Sequence, residues 1–218
     1  ELRTLKGYEK LRDIFENSLT VELLAEEMTT CTMGEDALPI LKQMEKVDYD
    51  IMGVVENGKI IGYVKQSELS DGKIADYYHP FSAEDLISDS TSVLELLKIL
   101  QERDYVFVLE QNSVTKIVTI ADLHKQPIRM LTFSLISLLE MYLVVAISDL
   151  HPNDEWKEKL NDNRLEKAQK IWKLRKSKNE ELTLLENTQL SDKGSIVRNT
   201  PKLLEKMGFS SKSKCKDF

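Results

Sequence analysis

Hydrophobic and polar positions along this chain follow first a helical rhythm and then a strand rhythm, and the pair recurs. Residues 1–19 place Leu2, Leu5, Tyr8, Leu11, Ile14 and Phe15 at spacings of three and four, which predicts a helix with one apolar face. The same spacing from Ala37 to Lys46 predicts a second helix. Strands follow, from Asp50-Ile51-Met52-Gly53-Val54-Val55-Glu56 through Asn57-Gly58 into Lys59-Ile60-Ile61-Gly62-Tyr63-Val64. Asn-Gly suits a tight hairpin because both residues tolerate positive φ. About 54 residues later the pattern returns. Ser92 to Arg103 reads as a helix, with Ser92 and Glu95 forming a capping box at its start. Asp104-Tyr105-Val106-Phe107-Val108-Leu109-Glu110 and Val114 to Thr119 then read as a second hairpin. A duplicated helix–strand–strand–helix unit predicts an α+β fold in which two open sheets bury against each other, with clefts between them for a small ligand.

After Pro127 comes the most apolar stretch, Ile128 to Ile147. Its length raises the question of a membrane span. Arg129 at one end, Glu140 near the middle and the lack of a flanking Lys/Arg pattern point instead to a long helix packed on the repeats or at a dimer seam. From His151 the chain reads as helical. Asn153 to Lys178 carries an apolar stripe including Trp156, Leu160, Leu165 and Trp172. A second run covers Glu181 to Leu190, and a third starts at Thr200-Pro201 and stops at Gly208. The expected divisions are 1–80 for the N-terminal helix and first repeat, 81–150 for the second repeat with its apolar helix, and 151–218 for a helical extension.

Charge separates those parts. The 218 residues carry a formal net charge of -7, but residues 1–150 have 14 Lys and Arg against 26 Asp and Glu, whereas 151–218 have 16 against 11. An acidic body with a basic extension suits two different tasks, and a solvated helical face accounts for the extension more simply than nucleic acid does. Cys31 and Cys215 stand alone and far apart, which suggests a reducing compartment, the cytoplasm, and no disulfide scaffold. His79, His124 and His151 have no second ligand at metal spacing. No glycine-rich phosphate loop and no grouping for nucleophilic catalysis stand out, so the expectation is a protein that is not an enzyme and requires no metal.

The candidate chemistry lies at Ile117-Val118-Thr119-Ile120-Ala121-Asp122. A carboxylate three residues after a hydroxyl, across a strand-to-helix turn, puts both at a helix start. There backbone amides favour an anion, and the carboxylate can accept hydrogen bonds from a vicinal diol. The same two residues also make an ordinary helix cap, and both readings stand at this point.

These residues, on their duplicated background, resemble a pair of CBS domains, or Bateman module, over about residues 18–150. The resemblance implies tandem β-α-β-β-α repeats related by a pseudo-twofold axis, followed here by an all-helical region, and commonly a homodimer. It also implies that Asp122 holds the ribose hydroxyls and Thr119 a phosphate oxygen of an adenine nucleotide. Apart from the resemblance, Val106 and Val108, or their neighbours on the same strand, could wall the adenine ring, and Lys125 and Arg129, about one and two helical turns on, could neutralise phosphates. The chain departs from the family pattern at three places. Lys116 stands where glycine is frequent, and the first repeat has Lys65 and Glu68 at the hydroxyl and Asp/Asn positions. The basic extension distantly resembles HEPN-type helical bundles, but Arg198-Asn199 is not followed by the histidine those depend on. The expected function is a non-catalytic regulatory module sensing AMP, ADP, ATP or S-adenosylmethionine. The alternatives are a ligand-free dimerisation scaffold and a nucleic-acid-associated protein using residues 151–218. No membrane partner is expected.

Overall fold

Two hairpins organise the first part of the chain. In the computed structural model, which describes residues 9–214 except Leu11, Phe15 and Glu16, β3 (Ile51–Glu56) and β4 (Lys59–Lys65) are joined through Asn57 and Gly58 at φ 48° and 76°. β7 (Tyr105–Glu110) and β8 (Ser113–Thr119) repeat the arrangement, and each pair carries an irregularity at the equivalent place, Val54/Val55 and Val108/Leu109. Each hairpin gains a parallel strand, β2 (Thr30–Thr32) beside β3 and β6 (Leu86–Ser88) beside β7. Between the parallel strands run the helices α1 (Ala37–Val47) and α2 (Val93–Ile99). Ser92 caps α2 by accepting from the Glu95 amide at 3.2 Å, which is the hydroxyl half of the expected capping box. The residues between Glu9 and Asn17 that are described are helical, while Leu2, Leu5, Tyr8, Leu11 and Phe15 lie outside the described residues.

The fourth strand of each sheet is exchanged. β1 (Glu26–Glu27), which precedes the first repeat, pairs antiparallel with β8 of the second, and β5 (His79–Pro80) pairs antiparallel with β4 of the first. The sheet orders are therefore β1-β8-β7-β6 and β2-β3-β4-β5. The helix starts are tied in the same crossed manner, Asp36 bridging Lys73 and Ser92 bridging Thr20. Tandem repeats with pseudo-twofold symmetry, the expected α+β architecture, are what the chain forms.

Alternation along the strands separates two apolar layers. Met52, Val54 and Val64 are fully buried with Ala37, Met44 and Ile74 around α1. Tyr63, Phe107, Phe81 and Tyr105 form an aromatic cluster where the repeats meet, with ring centroids 4.7 to 6.1 Å apart. At about 1.5–3 kcal/mol for each fully buried large apolar side chain, these layers dominate the stability of the pair. Cys31 belongs to the α1 layer. Burial, and then the Glu35 carboxylate, push its thiol up to about 11, so it is an inert packing residue.

The chain divides into two compact units, residues 1–132 and 133–218, with the division inside α3 (Gln126–Leu150). In the second unit Leu143, Ala146 and Ile147 of α3 pack with Trp156, Leu185, Ile196, Val197 and Leu203. α4 (Asp162–Lys176), α5 (Leu190–Arg198) and α6 (Pro201–Lys206) complete the unit. The helix expected over Glu181–Leu190 is not formed. That segment holds only a 3-10 turn at Leu185–Asn187, and the helix begins at Leu190, where Asp192 caps the Gln189 amide at 3.0 Å. By length and composition α3 could cross a membrane, though only 28% of its most apolar window is buried within the protein. Glu140, the charge that interrupts it, pairs with the fully buried Lys193 of α5 at 2.8 Å, and Lys193 also donates to the Thr188 carbonyl at 2.6 Å.

Candidate ligand cleft

The strand-to-helix turns of both repeats and the exchanged strand β1 surround one cleft of about 780 Å³. From the second repeat come Asp104, Tyr105, Ile117, Thr119, Ala121, Asp122 and Lys125. The first supplies residues equivalent by the repeat, Asp50, Ile51, Lys65 and Ser67. The correspondence extends to the backbone, where the Gln66 amide donates to the Asp50 carbonyl at 2.8 Å and the Ile120 amide to the Asp104 carbonyl at 3.0 Å.

Asp122 is buried and fully engaged. Its Oδ2 accepts from the Thr119 amide at 2.7 Å and from Thr119 Oγ1 at 3.2 Å, closing the 3-10 turn Ile120–His124. Its Oδ1 lies 2.7 Å from Lys125 Nζ. Lys125 reaches further, to Glu26 Oε1 at 2.6 Å and the Leu24 carbonyl at 2.7 Å. Burial alone would depress the lysine pKa, but hydrogen bonds to Asp122 and Glu26 outweigh it and hold the ammonium above its ordinary value. Lys125 thus ties the start of β1 to the candidate diol-binding carboxylate.

Thr119, Asp122 and Lys125 are brought together as the sequence suggests, and three other candidates are not. Val106 and Val108 are fully buried and do not line the cleft. Successive strand residues face opposite sides, and on the side packed toward the other repeat Tyr105, at the start of β7, reaches the cleft. Tyr105, Tyr49, Ile51 and Ile117 supply the aromatic and apolar surface in their place. Arg129 is exposed on α3 and lies outside the cleft lining. Lys116, at the family's glycine position, pairs with Glu110 at 3.0 Å and does not line the cleft either. Sequence reasoning missed Glu26 and Glu27, because nothing local signals that a strand preceding one repeat will pair inside the other.

In the first repeat the equivalent carboxylate is occupied differently. His79 of β5 holds the register place that Glu26 of β1 holds in the other sheet, since Tyr63 opposes His79 as Ile117 opposes Glu26. His79 Nε2 lies 2.5 Å from Glu68 Oε2, and Lys65 Nζ lies 3.5 Å from Glu68 Oε1. The hydrogen bond from His79 is the main cause holding the Glu68 carboxyl below its usual range. The His79 ring also stacks on Tyr63 at 5.3 Å. Glu68 is therefore committed to internal partners and does not line the cleft.

No family model matches the chain, and no curated protein matches it. Solved structures with a likeness to it include a CBS domain-containing protein of unknown function from Bacillus anthracis, at 13% identity and a TM-score of 0.45, covering 56% of this chain and 97% of that one. An acetoin utilization protein (AcuB) from Vibrio cholerae is similar at 17% identity and a TM-score of 0.44, covering 56% and 96%. CBSX2 in complex with AMP is similar at 14% identity and a TM-score of 0.44, covering 51% and 98%. On its own topology, two repeated units that exchange their outer strands and lead into helices, the chain has the architecture of a CBS domain pair with a C-terminal helical extension.

Proposed function

We propose that residues 1–132 form a non-catalytic regulatory module that binds an adenosine-containing ligand in this cleft. The observation that carries the reading is the cleft itself, where equivalent residues of both repeats converge beside Asp122. A cleft of about 780 Å³ lies within the range of small-molecule sites. Tyr49 and Tyr105 offer rings for a planar base, and Asp122 offers an acceptor for ribose hydroxyls. To take a diol, Asp122 Oδ1 must give up Lys125, and Lys125 would then loosen from Glu26 and Leu24. Ligand binding would in this way be felt at the start of β1 and, through the 3-10 turn, at the N-terminus of α3. The shift is limited to the difference in ligand affinity between the two arrangements.

A specific observation favours a second reading. Both Asp122 oxygens already have partners within the chain, as a scaffold without a ligand would require. Thermal denaturation with adenosine, AMP, ATP and S-adenosylmethionine, on wild type and Asp122→Asn, separates the two. Asparagine keeps an oxygen for the turn but loses the charge. A ligand present at a hundred times its Kd should add about 2.7 kcal/mol of stability to the wild type and much less to the variant. If none of the four stabilises the wild type, the scaffold reading replaces the sensor.

The expected homodimer is also a proposal. Phe133, Ile136 and Leu139 leave an apolar stripe on α3, with Phe133 73% exposed, and a second copy would cover it.

A further inference from the structure

The charge of the cleft is at odds with a phosphate-rich ligand. Glu26, Glu27, Asp48, Asp50, Asp104 and Asp122 line it, against Lys65 and Lys125 alone. Both lysines are already committed, Lys65 to Glu68 and Lys125 to Asp122 and Glu26. The side chains of Asp48, Asp50 and Asp104 have no ion-pair partner among the described residues, and all three are exposed at the cleft. An entering phosphate would thus meet six carboxylates against the single ammonium, Lys125, that a diol on Asp122 sets free. Nor do these groups form a metal site. Among the described residues no three carboxylates, histidines or cysteines converge closely enough to hold an ion, so a divalent metal has no prepared seat from which to carry a polyphosphate in.

Resting on the reading of the cleft as a nucleoside site, we propose that its ligand is a nucleoside bearing no phosphate and carrying a cationic group, such as an amine or a sulfonium. The base and diol would be held by the tyrosines and Asp122, and the cationic arm would lie toward Asp50 and Asp104. Those aspartates occupy equivalent positions in the two repeats, each just before the first strand of its hairpin. The pseudo-twofold symmetry therefore doubles a negative charge at the cleft instead of building a phosphate cradle.

Four probes compared by isothermal titration calorimetry on the full chain test this. Adenosine and AMP differ by one phosphate, and S-adenosylmethionine and S-adenosylhomocysteine differ by the methyl group that makes the sulfur cationic. AMP should bind at least about tenfold more weakly than adenosine, a difference of about 1.4 kcal/mol. S-adenosylmethionine should bind several-fold more tightly than S-adenosylhomocysteine, and that advantage should shrink as salt rises, because screening weakens attraction at an exposed rim. The double variant D50N/D104N, altered at two exposed positions, should narrow both ratios. AMP binding as tightly as adenosine, or ratios unmoved by the double variant, would overturn the charge assignment and leave the nucleoside site standing. Failure of all four probes to bind would instead remove the nucleoside site, and the charge assignment with it.

Discussion

Gly62 shows how much one position can carry in a repeated fold. It opposes Pro80 in the β4–β5 pair, and a Cβ built there would lie 2.1 Å from the His79 carbonyl oxygen and 2.4 Å from the Tyr78 ring. Backbone atoms of a paired strand cannot retreat as a flexible side chain can. Gly62→Ala should therefore cost at least about 2 kcal/mol and displace His79 from Glu68. Gly34→Ala, with open space around the new atom, should be near neutral. Urea denaturation of the two variants checks the contrast, and equal midpoints would show that β5 yields easily. The pair Gly62 and Lys116 also explains the departure from the family pattern in the second repeat. Gly62 faces a proline-bearing strand pressed close, whereas Lys116 faces Glu27 in β1 and turns its ammonium to Glu110.

At the scale of elements, the Glu140–Lys193 pair joins α3 to α5. Lys193 is wholly buried while Glu140 is partly open to solvent, so the charge at risk is the lysine. Glu140→Leu should destabilise the second unit by about 1–3 kcal/mol, because it leaves a buried ammonium with the Thr188 carbonyl, an uncharged acceptor, in place of a carboxylate. Adding Lys193→Met should recover part of that loss, since an apolar pair avoids the desolvation cost. A thermodynamic cycle over the four proteins reads the coupling, and purely additive effects would deny it. The hairpins and α1 were legible in the sequence because Asn57-Gly58, short apolar runs rich in β-branched and aromatic residues, and three-four spacing are local signals. α5 was not. Gly194 in its middle weakens helix propensity, and its start depends on Asp192 folding back to the Gln189 amide. Likewise Thr119 and Asp122 were legible as a motif of known spacing, but which face of β7 lines the cleft depends on register. The sequence therefore offered Val106, Val108 or their strand neighbours together, and among them Tyr105 lines the cleft.

At the scale of the molecule, the apolar stripe of α3 makes association measurable. Phe133→Asp should convert a dimer into a monomer in sedimentation, without altering the melting of the strand-containing unit. A monomeric wild type would overturn the dimer. The exchanged strands carry a consequence for the order of synthesis. Tyr63 meets His79 only about 16 positions later, so the sheet containing β2 to β5 can close soon after Pro80 leaves the ribosome. Glu26 must wait for Ile117, about 90 positions downstream, and the entropy of so long a closure delays the other sheet until the second repeat is complete. During that interval β1 is a lone strand edge. It is two residues long, and both are glutamates, so the nascent chain waits with a segment that like-charged neighbours repel and that offers little backbone for stray pairing.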